Sequence, residues 1–133
     1  MTVTCPYCDR PTPMVTGKTI YPERPDLFHK KFYRCDPCDA HVGCHEPNAQ
    51  FGFTGIEPLG RLANAELRQA KYMAHRYFDP LWRDGTMRRK SAYKWLAGQL
   101  GISPANCHIG MFDIDGCRAV VAAVKNFRER KAA

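Results

Sequence analysis

Two cysteine pairs, Cys5 and Cys8 in "CPYC" and Cys35 and Cys38 in "CDPC", are separated by 26 residues. Each C-x-x-C turn can present two sulfurs to one ion, and two such turns complete a tetrahedral thiolate set, the coordination that structural Zn2+ favours. A disulfide framework fits less well, because the cysteine count is seven and no secretion signal precedes them. A thioredoxin-like redox role for either pair would need a flanking βαβ pattern, which is missing.

A second group of donor types consists of Cys44, His45, Cys107 and His108, with His41 and Cys117 nearby in sequence. These could hold a second metal only if folding brought the two Cys-His dipeptides together. The simpler expectation is buried thiols beside hydrogen-bonded imidazoles. One structural zinc ion is therefore expected, with His41, Cys44 or His45 as substitutes if a cysteine were displaced.

These ligands need elements to position them. Met14–Thr16 and Thr19–Tyr21, around Gly17-Lys18, read as a hairpin with a type II′ turn, and "KFYRC" reads as an aromatic strand running into the second pair. The result is a zinc ribbon over residues 1–46, too small to offset its chain entropy without metal, so that metal removal should unfold residues 3–45. Asp9 and Asp39 follow the two pairs where glycine is common in zinc knuckles, and aspartate tolerates the left-handed backbone needed there.

Residues 47–60, with Pro47, Gly52, Gly55, Pro58 and Gly60, read as a linker loop. Beyond it, over 61–133, the period becomes helical. Asn64 can cap a helix carrying Leu67, Ala70, Ala74, Tyr77, Phe78 and Leu81, which Pro80 ends or kinks. A second helix runs from about Met87 to Leu100 and stops at Gly101, burying Ala92, Trp95, Leu96 and Leu100. Ser103-Pro104 opens a short turn, and Asp113 caps a last helix striped by Ile114, Cys117, Val120, Val121, Val124 and Phe127. The expected fold is α+β, a small N-terminal zinc-ribbon β module packed with a C-terminal bundle of about three α-helices and a basic tail.

The formal charge is +7, from 20 Lys+Arg against 13 Asp+Glu. A zinc ion with four thiolates would leave it near +5. Lys30, Lys31 and Arg34 beside the ribbon strand, and Arg88, Arg89 and Lys90 in the first turn of the second long helix, are candidate phosphate contacts. Cations at a helix N-terminus oppose its macrodipole, a local cost that an incoming anion would relieve. Tyr33 or Phe32 could stack on bases, although strand alternation places them on opposite faces and directs at least one into the core. No run of about 18 apolar residues is present, and "MTVTCPYC" lacks the regions of a signal peptide, so no membrane span and a cytoplasmic setting are expected.

"CPYC", "YRCDPCDAHVGCH", "PLGRLANAELRQAKYMAH", "FDPLW", "RRKSAYKWLAGQL" and "CHIGMFD" together resemble a zinc-finger-containing, zinc-ribbon family of unknown function carried by phages and bacteria. The resemblance spans most of residues 5–121. It implies a phage or prophage setting and a bacterial host cytoplasm, and it transfers no catalytic residue.

The leading expectation is a zinc-binding, non-enzymatic module with DNA or RNA as partner. The rival is a small phage adaptor or inhibitor that docks on a host protein, which exposed Phe51, Phe53 or Trp82 would favour. A metal-dependent nuclease using Asp26, His29, His41 and His45 is a third reading, but no Asp-His or His-Asn arrangement marks a catalytic hairpin, and Asp113 and Asp115 are more simply helix-cap residues.

Overall fold

The computed structural model describes residues 2–132, which fall into two units, one up to Ala65 and one from Glu66 onward. The first holds a three-stranded antiparallel sheet of β1 (Met14–Thr16), β2 (Lys31–Cys35) and β3 (Ala40–Gly43), in the order β1-β2-β3. Registers Tyr33↔Val42 and Cys35↔Ala40 place these four side chains on one face. There they are buried with Cys5 and Leu62, and Val3, Cys8, Cys38 and Cys44 pack around them.

The expected hairpin at Gly17-Lys18 does not form. Residues Gly17–Ile20 make a one-turn helix, α1, closed by the Tyr21 amide on the Gly17 carbonyl at 2.7 Å, and β1 pairs instead with β2. The longer β2 offers more burial than Thr19–Tyr21 could, since Phe32, Tyr33 and Cys35 all lose their solvent exposure. Gly17 is required for another reason than a turn conformation: a Cβ there would lie 1.7 Å from the Leu27 carbonyl oxygen.

The segment read as a linker is built into the first unit. Its backbone runs back along β3, with His45 donating to the Glu57 carbonyl at 2.8 Å, Leu59 to Gly43 at 2.8 Å, and His41 and Ala63 exchanging bonds at 3.2 and 2.9 Å. A strand edge needs partners for its amides and carbonyls, and residues 58–63 supply them. The boundary between the units accordingly falls at Ala65/Glu66, past the expected one.

The second unit contains α2 (Ala65–Phe78) from its second residue onward, the one-turn α3 (Pro80–Arg83), α4 (Arg89–Leu100) and α5 (Ile114–Ala132). Pro80 lacks an amide hydrogen and opens α3 just past the end of α2. Gly101, at φ 68°, closes α4 with a Schellman pattern in which the Ile102 amide donates to the Ala97 carbonyl at 3.0 Å. Asp113 caps α5, its Oδ1 accepting the Gly116 amide at 2.8 Å. Leu67, Ala74, Phe78, Leu81, Ala92, Leu96, Val120 and Val124 are buried as their helical spacing requires. Among the described residues no helix is long and apolar enough to cross a membrane.

Candidate metal centre and nucleic-acid interface

The first knuckle is a tight loop in which the Cys5 amide donates to Arg10 and the Asp9 amide donates to Cys5, both at 2.9 Å. The second knuckle is the turn between β2 and β3, with the Asp39 amide donating to Asp36 at 3.1 Å. Asp9 and Asp39 have φ of 61° and 49°, the left-handed backbone expected after the second cysteine of each pair.

The four sulfurs of Cys5, Cys8, Cys35 and Cys38 lie within 4.8 Å of one another, and those of Cys8 and Cys35 are 3.6 Å apart. A tetrahedral zinc with bonds of about 2.3 Å has sulfur–sulfur edges of about 3.8 Å, so the cluster matches the size of that coordination sphere. The electrostatics agree. The Arg10 backbone amide holds the Cys8 thiol below its ordinary range, whereas burial, reinforced by the neighbouring sulfurs, pushes Cys38 up to about 12. Thiols packed this closely resist joint ionisation, and a divalent cation among them supplies the opposing charge.

The other donor types have different surroundings. Cys44 is half-buried against the sheet core, and its neighbour His45 stacks on Phe53 with ring centroids 3.9 Å apart. Cys107 and Cys117 are buried in the helical unit, where desolvation raises both thiols, and His108 is exposed. Among the described residues, the cluster of Cys5, Cys8, Cys35 and Cys38 is the one group of three or more such donors within metal-binding distance. The residues weighed for a nuclease are placed otherwise: Asp26 pairs with Arg24 at 2.7 Å, and Asp113 is the α5 cap.

Of the candidate nucleic-acid contacts, Tyr33 is corrected. It is 5% exposed, and its hydroxyl donates to the Ile56 carbonyl at 2.6 Å, so it is a core residue that cannot present a ring to a base. Phe32, on the other face, is buried as well, edge-on to Tyr21 and His41. Lys30 is paired with Glu46 at 3.0 Å, and Arg34 with Asp36 at 2.7 Å and Asp39 at 3.5 Å. Lys31 is exposed at the start of β2.

Arg88, Arg89 and Lys90 are all exposed, and among the described residues no carboxylate lies within ion-pair distance of any of them. Arg88 is the N-cap of α4 and supplies no side-chain hydrogen bond to the first turn. The sequence reading missed the aromatic setting of this turn. The Arg89 guanidinium carbon is 5.4 Å from the Trp82 ring centroid and 5.0 Å from that of Tyr93, and Arg83 covers Trp82 at 5.0 Å. The only local signal was the clustering of "PLWR" and "RRK" around a short Gly-containing loop.

Charge is divided unevenly between the units. Residues 1–65 carry seven Lys+Arg and seven Asp+Glu, while residues 66–133 carry 13 against six, so the whole basic surplus belongs to the helical unit.

The model of a family described as a zinc-finger-containing domain matches residues 1–127. No curated protein and no solved structure matches the chain.

Proposed function

The chain belongs to this zinc-finger-containing domain family, and from that premise we propose that it is a zinc-stabilised, non-enzymatic nucleic-acid-binding protein of phage or prophage origin, acting in a bacterial cytoplasm. Zinc has a structural role here: it holds together a sheet whose core is built partly from the ligands themselves. The observation that carries the nucleic-acid reading is the division of charge. A unit with 13 cationic and six anionic side chains, three of the cations consecutive and, among the described residues, with no carboxylate at ion-pair distance, attracts a polyanion.

The test is a fluorescence titration of zinc-loaded protein against mixed-sequence single- and double-stranded DNA and RNA at about 50 and 200 mM salt. Each phosphate neutralised contributes about 0.9 to the logarithmic salt slope on duplex, so the triple change Arg88→Gln, Arg89→Gln, Lys90→Gln should flatten that slope by up to about 2.7. Lack of binding at the lower salt, or a triple variant that binds like the parent, would overturn the proposal.

One observation favours a host-protein partner as a second reading: Phe51 and Leu59, on the charge-balanced zinc unit, are 67% and 55% exposed. That reading predicts stoichiometric capture of one protein from host extract, abolished by Phe51→Ser.

A further inference from the structure

Arg88, Arg89 and Lys90 are equivalent in charge and differ in surroundings. Among the described residues no ring lies against the side chain of Arg88, the N-cap of α4, or of Lys90, whereas the Arg89 guanidinium lies over Trp82 from α3 and Tyr93 one turn along α4. Both rings are themselves fixed. Trp82 is half-buried and also covered by Arg83, whose position is steadied by Asp79 at 3.9 Å, and Tyr93 packs edge-on against the fully buried Phe78 at 4.8 Å. A chain of contacts thus runs from the helical core to one exposed guanidinium.

Two physical consequences follow. An arginine held against aromatic rings has already given up much of its rotamer freedom, so less is lost when it forms a directed contact. A guanidinium carries five N–H donors in a fixed planar fork, so one whose central carbon lies over two rings still has donors that can form paired hydrogen bonds in its own plane. We propose that Arg89 makes the geometry-dependent, bidentate contact of this surface, to a pair of in-plane acceptors on the nucleic acid, while Arg88 and Lys90 act as interchangeable point charges. This rests on the nucleic-acid reading above. The acceptor pair is either two oxygens of one phosphate or the O6 and N7 edge of guanine, both of which a fork of N–H groups fits.

Charge-preserving substitutions separate geometry from charge. Using zinc-loaded full-length protein and fluorescein-labelled duplex DNA at fixed salt, Arg88→Lys should leave the affinity within about twofold. Arg89→Lys should weaken it by about fivefold or more, the scale of a bidentate contact, with the salt slope unchanged because the charge is retained. Trp82→Leu, which removes a supporting ring and no charge, should weaken binding in the same direction, with a thermal melt confirming that the helices remain folded. A duplex of A·T pairs alone identifies the acceptor: an Arg89→Lys defect that persists there is a phosphate contact, and one that vanishes is a guanine contact. Equal affinities for Arg88→Lys and Arg89→Lys would overturn the proposal. If the triple glutamine variant still lost affinity, the nucleic-acid reading would survive that result; if it bound like the parent, the reading itself would fail.

Discussion

Stripping the metal should unfold the first unit and leave the second folded. The six buried residues of the sheet core include Cys5 and Cys35, so two of its members are ligands, and Cys8 and Cys38 pack on its border. At about 0.05–0.15 kcal/mol per residue, a unit reaching to Ala65 has a typical net stability of about 3–10 kcal/mol. Structural zinc in small modules contributes about 10–16 kcal/mol, which equals or exceeds that total. The helical unit contains none of the four ligands, and its long helices of 14, 12 and 19 residues bury their own core. Hydrogen exchange read by mass spectrometry, before and after treatment with a strong chelator, distinguishes the two. The Cys44 amide, bonded to the Lys31 carbonyl at 3.0 Å, and the His41 amide, bonded to Ala63 at 3.2 Å, should lose protection, while α5 around Val120 and Val124 keeps it. Helical ellipticity should stay nearly constant, and zinc should restore the sheet. Sheet amides that remained protected in protein verified as metal-free would refute this reasoning, and loss of the helices in step with the sheet would refute the assignment of the zinc contribution to the first unit alone.

Three other outcomes are expected. Gly17→Ala, placing a methyl group against the Leu27 carbonyl, should destabilise the zinc-loaded sheet unit by about 1–3 kcal/mol or more, read as a lower urea midpoint for loss of β structure. Tyr33→Phe, which leaves the Ile56 carbonyl without its 2.6 Å donor, should cost about 1 kcal/mol by the same measurement and leave nucleic-acid affinity unchanged, as befits a core residue. Zinc affinity should fall as pH falls, because the bound form requires thiolates and protons compete for them; with Cys38 pushed up to about 12, competition with a chromophoric chelator between about pH 6 and pH 8 should show steady weakening toward the acid side, and a flat profile would contradict it.

What could be read in the chain was whatever is fixed by spacing along it. Two C-x-x-C turns point to four ligands because the two-residue spacing lets each turn present both its sulfurs to one ion, and the aspartates after them adopt the left-handed backbone their short polar side chains tolerate. Pro80, Gly101 and Asp113 marked helix ends through an absent amide hydrogen, a free left-handed conformation and a side-chain acceptor, all properties of one residue and its near neighbours. Tertiary structure decided the rest. Thr19–Tyr21 lost its place as a strand because β1 gains more burial against β2, a competition between segments that no local pattern records. Residues 47–60 look irregular in sequence yet join the first unit, because the open edge of β3 needs hydrogen-bond partners that only chain reversal can bring. Tyr33 went inward and Arg89 became clamped for the same reason: burial and ring contacts are set by what the fold places opposite a side chain, whereas sequence fixes only which side chain is there to be placed.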